Sequence, residues 1–202
     1  MNKLRLFLTN PFVKIAGAKA LVYGSLSMLL TAVLGWLFNT RFDGVLDIHF
    51  VQGFSFQLHL LDLVVSWLAI TLVLFFTGLI AAGRGIRLID IAGTMALART
   101  PLMLAPIANT FSNSNIVSAY FLSYLSKDIE AVEPTIMQIT GFVLSMILVI
   151  SLTIYVIILS YRAFKVSTNL KGSKATVSFI IGLLIAEVLS KILIHYYVHP
   201  IL

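Results

Sequence analysis

Apolar residues run along this chain in long stretches broken by short polar or charged segments. A helix rising about 1.5 Å per residue needs about twenty residues to cross about 30 Å of hydrocarbon, and the stretches have that length. The pattern predicts spans over about 19–38, 61–83, 88–110, 135–161 and 176–197. The expected fold is all-α: a polytopic transmembrane five-helix bundle over 19–200, preceded by a basic cytosolic or interfacial segment over 1–18. In that segment Lys3, Arg5 and Lys14 alternate with apolar residues, which suits a lipid surface. The run after it is too long for a signal peptide and lacks a small-x-small cleavage site, so it reads as an uncleaved first span.

Between the first two spans the period changes to two. Leu46, Ile48 and Phe50 alternate with Asp47 and His49, and Phe54, Phe56 and Leu58 with Ser55 and Gln57. This predicts a small β-hairpin over about 45–60, turning at Val51-Gln52-Gly53 and pairing Phe50 with Phe54. Open strand edges are not tolerated in hydrocarbon, so the hairpin belongs at the outer interface. The third span carries Asp90, Arg99, Pro101 and Pro106 and is expected to be kinked or broken. Residues 111–133 form a polar connection with an amphipathic centre and an acidic end at Asp128, Glu130 and Glu133. Pro134 fits the first turn of the fourth span, and Ser173 the N-cap of the fifth.

Composition agrees with a lipid solvent. Of 202 residues 59% are hydrophobic and 11% charged, whereas soluble domains are about 25% charged. The net charge of +6 is spread in small groups between spans, which points to membrane topology and away from nucleic acid. Lys3, Arg5, Lys14, Lys19, Arg84, Arg87, Arg162, Lys165, Lys171 and Lys174 fall on one side, against Arg41 and Lys127 outside the membrane on the other. By the positive-inside rule the N-terminus is cytosolic and the C-terminus outside. Anionic lipids are the expected partners of Arg84, Arg87, Arg162, Lys165, Lys171 and Lys174. A protein partner or a homo-oligomer is also open. With no cysteine, disulfides, thiolate metal sites and palmitoylation are excluded.

Ionisable residues at membrane depth carry the sharpest chemistry. Arg99 lies in the third span; Glu187 and Lys191 are spaced i, i+4 in the fifth, in the favourable order, and His195 continues that face. Arg99 and Glu187 lie at similar depth. With Asp62 these residues form either a polar pocket or ion path, or a structural ion-pair network, the commoner use of such groups. At the outer face Asp43, Asp47, His49, His59 and Asp62 offer metal-ligand chemistry, with Asp47 and His49 the first candidates. Their spacing matches no tight metal motif, and water-facing hairpin residues explain them as well. Pro101 and Pro106 in a span with Arg99 and Asn109 resemble the discontinuous helices of transporters, yet no internal repeat accompanies them. No nucleophile has an evident base and no phosphate loop occurs, so neither an enzyme nor a cofactor is expected.

Arg41-Phe42-Asp43-Gly44 with Asp47-Ile48-His49, and Arg87-Leu88-Ile89-Asp90-Ile91 leading to Arg99-Thr100-Pro101-Leu102, resemble bacterial members of the Ypt-interacting-protein (Yip) membrane family. Tyr161-Arg162-Ala163-Phe164-Lys165 and Gly172-Ser173-Lys174-Ala175 look like that family's connection into its last helix. The resemblance implies a five-helix membrane bundle and, for eukaryotic relatives, small-GTPase partners in vesicle traffic. The basic segment over 1–18 is shorter than the cytosolic region of those relatives. The reading that results is a non-enzymatic inner-membrane organiser or scaffold, with a transporter of a small solute, ion or lipid as the rival.

Overall fold

The computed structural model describes residues 9–83, 85–126 and 132–198. Among them five helical spans are long and apolar enough to cross a membrane: Gly17–Leu37, Phe56–Ala82, Leu88–Asn109, Ile136–Thr168 and Gly172–Tyr196. The protein is a multi-pass α-helical membrane protein. The elements are α1 (Gly17–Leu37), β1 (Thr40–Arg41), β2 (His49–Phe50), α2 (Phe56–Ala82), α3 (Leu88–Ala98), α4 (Ala105–Asn109), α5 (Ser114–Ser126), α6 (Ile136–Thr168) and α7 (Gly172–Leu193).

The third span is the centre of the bundle. Its apolar window is 56% buried, against 22% for α6, the span most open to lipid. It is broken as its prolines require. After α3 the backbone tightens into a 3-10 turn, Thr100–Leu104, and resumes as the short α4. Pro101 has no N–H to give the helical ladder, and the Leu102 amide instead reaches back three residues to the Arg99 carbonyl at 2.9 Å. Interior backbone at this depth is tolerated because protein covers it: Leu102 and Ala105 are buried.

Small residues let α1 approach this centre closely, the usual device where lipid supplies no hydrophobic drive between helices. A Cβ on Gly24 would lie 2.5 Å from the Ala96 backbone, and one on Gly93 would collide with the Gly17 carbonyl. Ile70 and Leu74 of α2, Ile91 and Met95 of α3, Phe164 of α6 and Phe179 of α7 form the main core, which Phe12 enters from the N-terminal segment. A second cluster, with Ala32, Leu63, Leu102 and Val156, closes around Phe42 of the loop between β1 and β2.

Several boundaries differ from expectation. The small antiparallel sheet is present, but it pairs Thr40 with Phe50 and Arg41 with His49; Phe50 does not face Phe54. Residues 56–60 are already α2, five residues earlier than the pattern suggested. A helix satisfies its interior backbone groups within its own segment, and it turns His59, Asp62 and Ser66 onto one buried face. Thr135, not Pro134, begins α6: its side chain accepts from the Gln138 amide in a capping box. The same helix continues to Thr168, so Arg162 and Lys165 are helical and the loop before α7 is short. Lys171 is the N-cap of α7, leaving Ser173 inside the helix. The amphipathic centre of the connection is α5. Lys3, Arg5, Arg84, Lys127, Asp128 and Glu130 lie outside the described residues.

Candidate functional site

The intramembrane charges meet at the end of the bundle that the positive-inside pattern leads one to expect outside, the outer end, and the loop there is what they hold. Phe42 and Val45 are buried, so the chain after β1 dips among the helices. Arg99, 2% exposed, donates from Nη1 to the Val45 carbonyl at 3.1 Å and from Nη2 to Ser66 Oγ at 2.9 Å. The Val45 amide donates to Ser190 Oγ at 3.2 Å, and the Leu46 amide to Glu187 Oε2 at 2.9 Å. Two consecutive loop amides are thus taken up by α7 while the carbonyl between them is taken up by the third span. These are backbone groups that hydrocarbon cannot satisfy.

Gly44 makes the approach possible. A Cβ there would lie 2.8 Å from Glu187 Oε1, so any side chain would push the carboxylate from the Leu46 amide. Arg41 anchors the near end of the loop through Asp62, 2.8 Å away and 1% exposed, and stacks over Phe54 at 4.5 Å. At the far end Lys191 bonds Asp47 and lies 3.8 Å from Glu187. His49 bonds Asp43 at 2.8 Å.

Arg99 and Glu187 therefore meet through the Val45–Leu46 backbone, without a direct ion pair. Asp62 belongs to the same outer cluster through Arg41. Arg41, Arg99 and Lys191 face Asp43, Asp47, Asp62 and Glu187, and a protonated His49 makes the charges even. Sequence reasoning did not select Ser66 and Ser190 as site residues. Ser190 follows Glu187 by one helical turn and Ser66 follows Asp62 by about one turn, so the polar faces of both helices were present in the pattern.

The outer cluster borders an open cleft of about 370 Å³ beside Asp43, Asp47, His49, Lys191 and His195. Ligand atoms of Asp43, Asp47 and His49 lie within 4.8 Å of one another, close enough for one divalent cation. The donor set is already engaged, however. A metal would have to displace the Lys191 ammonium from Asp47 and the proton that His49 shares with Asp43. Burial opposes ionisation of Asp43, but its bond from His49 and the charges of His49 and Arg41 outweigh it and hold the carboxyl below its usual range. The bond to Asp43 raises His49, helped by the Asp43 and Asp47 charges and opposed by burial and by Lys191.

At the opposite end Arg162, Lys165 and Lys171 border a cavity of about 640 Å³. Lys174 borders a neighbouring one of about 480 Å³. Arg162 donates to the Thr9 carbonyl, tying the N-terminal segment to α6. Arg87 is exposed and lies 3.8 Å from Asp90.

Fold and site define a multi-pass membrane protein whose polar interior residues hold the loop between β1 and β2. The chain matches no family model, no curated protein and no solved structure.

Proposed function

We propose that this protein is a non-enzymatic organiser or scaffold of the Yip-like kind in a bacterial inner membrane, with its N-terminus cytosolic and its C-terminus outside. The observation that carries the reading is the engagement of Arg99: Nη1 and Nη2 are bonded to Val45 and Ser66, and Nε is buried without a partner. A charge spent on holding a loop is not a charge lining a path. The cations gathered at the opposite end give the protein a face for anionic headgroups. Protein partners, or a second copy of the chain, would meet it within that membrane.

Transport is the second reading, favoured by the break in the third span and by the open outer cleft. Reconstitution separates the two. In vesicles containing phosphatidylglycerol, an organiser leaves proton, potassium and glycerol permeability at the protein-free level while enriching anionic lipid around itself. Solute flux proportional to protein content, and abolished by Glu187→Gln, would establish transport and overturn the proposal.

A further inference from the structure

We infer that the inner cavity between Asn10 and the α6–α7 turn is a binding site for the phosphodiester headgroup of a lipid, one that carries hydroxyls, as phosphoglycerol does. The inference rests on the reading of the basic end as lipid-facing, and it adds a defined place and a ligand chemistry.

Residues at the end of α6 and in the turn into α7 build this cavity. Arg162 and Lys165 are spaced i, i+3 and share a face near the end of α6. Asn169, at φ 55, ends that helix in the left-handed conformation and turns the chain so that Lys171 reaches the same cavity. Lys171 then caps α7 without any side-chain bond to the first-turn amides. A 22-residue helix thus begins one residue beyond the cavity wall, with its positive dipole end near the cavity, which favours an anion.

Charge separates this cavity from the outer cleft. There each lining cation faces a carboxylate; here, among the described residues, no carboxylate lines the wall beside Arg162, Lys165 and Lys171. Arg162 commits Nη1 to Thr9 and has further guanidinium donors, in the fork geometry that matches phosphate oxygens. The volume of about 640 Å³ is that of a small-molecule site. Asn10 lines the same cavity, and its side-chain amide is of the kind that bonds a headgroup hydroxyl. Val166, 38% exposed, also lines the cavity on the helix most open to lipid, which leaves an apolar flank for the acyl chains. A lipid, and not a soluble glycerol phosphate, fits that flank.

The test uses the full chain in neutral detergent, titrated with short-chain phosphatidylglycerol, short-chain phosphatidylcholine or glycerol 3-phosphate, with bound ligand counted by native mass spectrometry. Phosphatidylglycerol should bind about tenfold tighter than phosphatidylcholine, the worth of one good charge-assisted contact, and glycerol 3-phosphate should bind far more weakly than either lipid. Lys165→Gln with Lys171→Gln should remove the preference and leave the Arg162–Thr9 tie intact. Lys14→Gln with Lys19→Gln, equal in charge change but outside the cavity, should keep it. Circular dichroism and a single elution peak confirm that both pairs fold. Equal loss from the two pairs would overturn the cavity site while leaving the organiser reading in place, since general charge attraction would then suffice. Glycerol 3-phosphate binding as tightly as the lipid would overturn the lipid as occupant.

Discussion

Arg99 is the residue on which the outer end turns, because one planar guanidinium reaches both a loop carbonyl and α2. Arg99→Ala removes both bonds and strands the buried Val45 carbonyl, while Ser66 keeps its bond to the Leu63 carbonyl, so unfolding in mixed micelles should lose about 3 kcal/mol, and a loss under about 1 would contradict this role. Arg99→Lys should recover little of it, since a single ammonium on a flexible stem cannot reproduce the fork. His49 and Asp43 set the pH response of the same loop. His49 is raised above 6.5, so its contribution is complete below that value and fades as pH rises through the raised folded value. Asp43 is lowered from 3.8, so its contribution is present above that value and fades as pH falls through the lowered one. The tether is strongest between those limits. Ring NMR of His49 should give a midpoint above 6.5 that drops in Asp43→Asn, and an unchanged midpoint in that variant would remove the pair from the account.

Helix contacts depend on small residues as much as on charge. Gly93→Ala would bring a methyl against the Gly17 carbonyl and force α1 off α3. Overpacking of this kind costs about 2 kcal/mol, which denaturant unfolding of the purified chain would measure; no loss would mean that the two helices have room. At this scale the sequence was informative where one signal dominated. Length and hydropathy located five spans, and Pro101 with Pro106 announced the break in the third. It misled where two signals competed. Phe54, Phe56 and Leu58 alternate like a strand, yet the same residues begin a helix whose buried polar face, His59, Asp62 and Ser66, follows the helical period instead. Arg162 and Lys165 looked like loop because they are charged, whereas α6 carries them on its final turns.

The whole molecule places buried ionic bonds at one end and a basic cavity at the other, with an apolar bundle between. Glu187 and Lys191 announced themselves by helical spacing, and their pairing survives at 3.8 Å. Their destination was not legible. The partners of Arg99 and Glu187 are the backbone of Val45 and Leu46, and backbone groups carry no mark in a sequence. A buried charge in an isolated span suggests a pathway; the folded loop supplies the alternative use. Sidedness follows from the same layout: impermeant reagents should reach a probe at Lys171 and one at His49 from opposite faces.

If the polar interior holds the loop and excludes water, a thiol in place of the Ser66 hydroxyl is out of reach of aqueous reagents, and Ser66→Cys reads this out. The substitution is nearly isosteric, the chain has no other cysteine, and Ser66 is 0% exposed while bonded to Arg99. In intact membranes an impermeant maleimide should label His49→Cys readily and leave Ser66→Cys unlabelled from either face. Labelling of Ser66→Cys at a rate near that of His49→Cys would mean that water reaches Arg99, and the polar interior would then be a path.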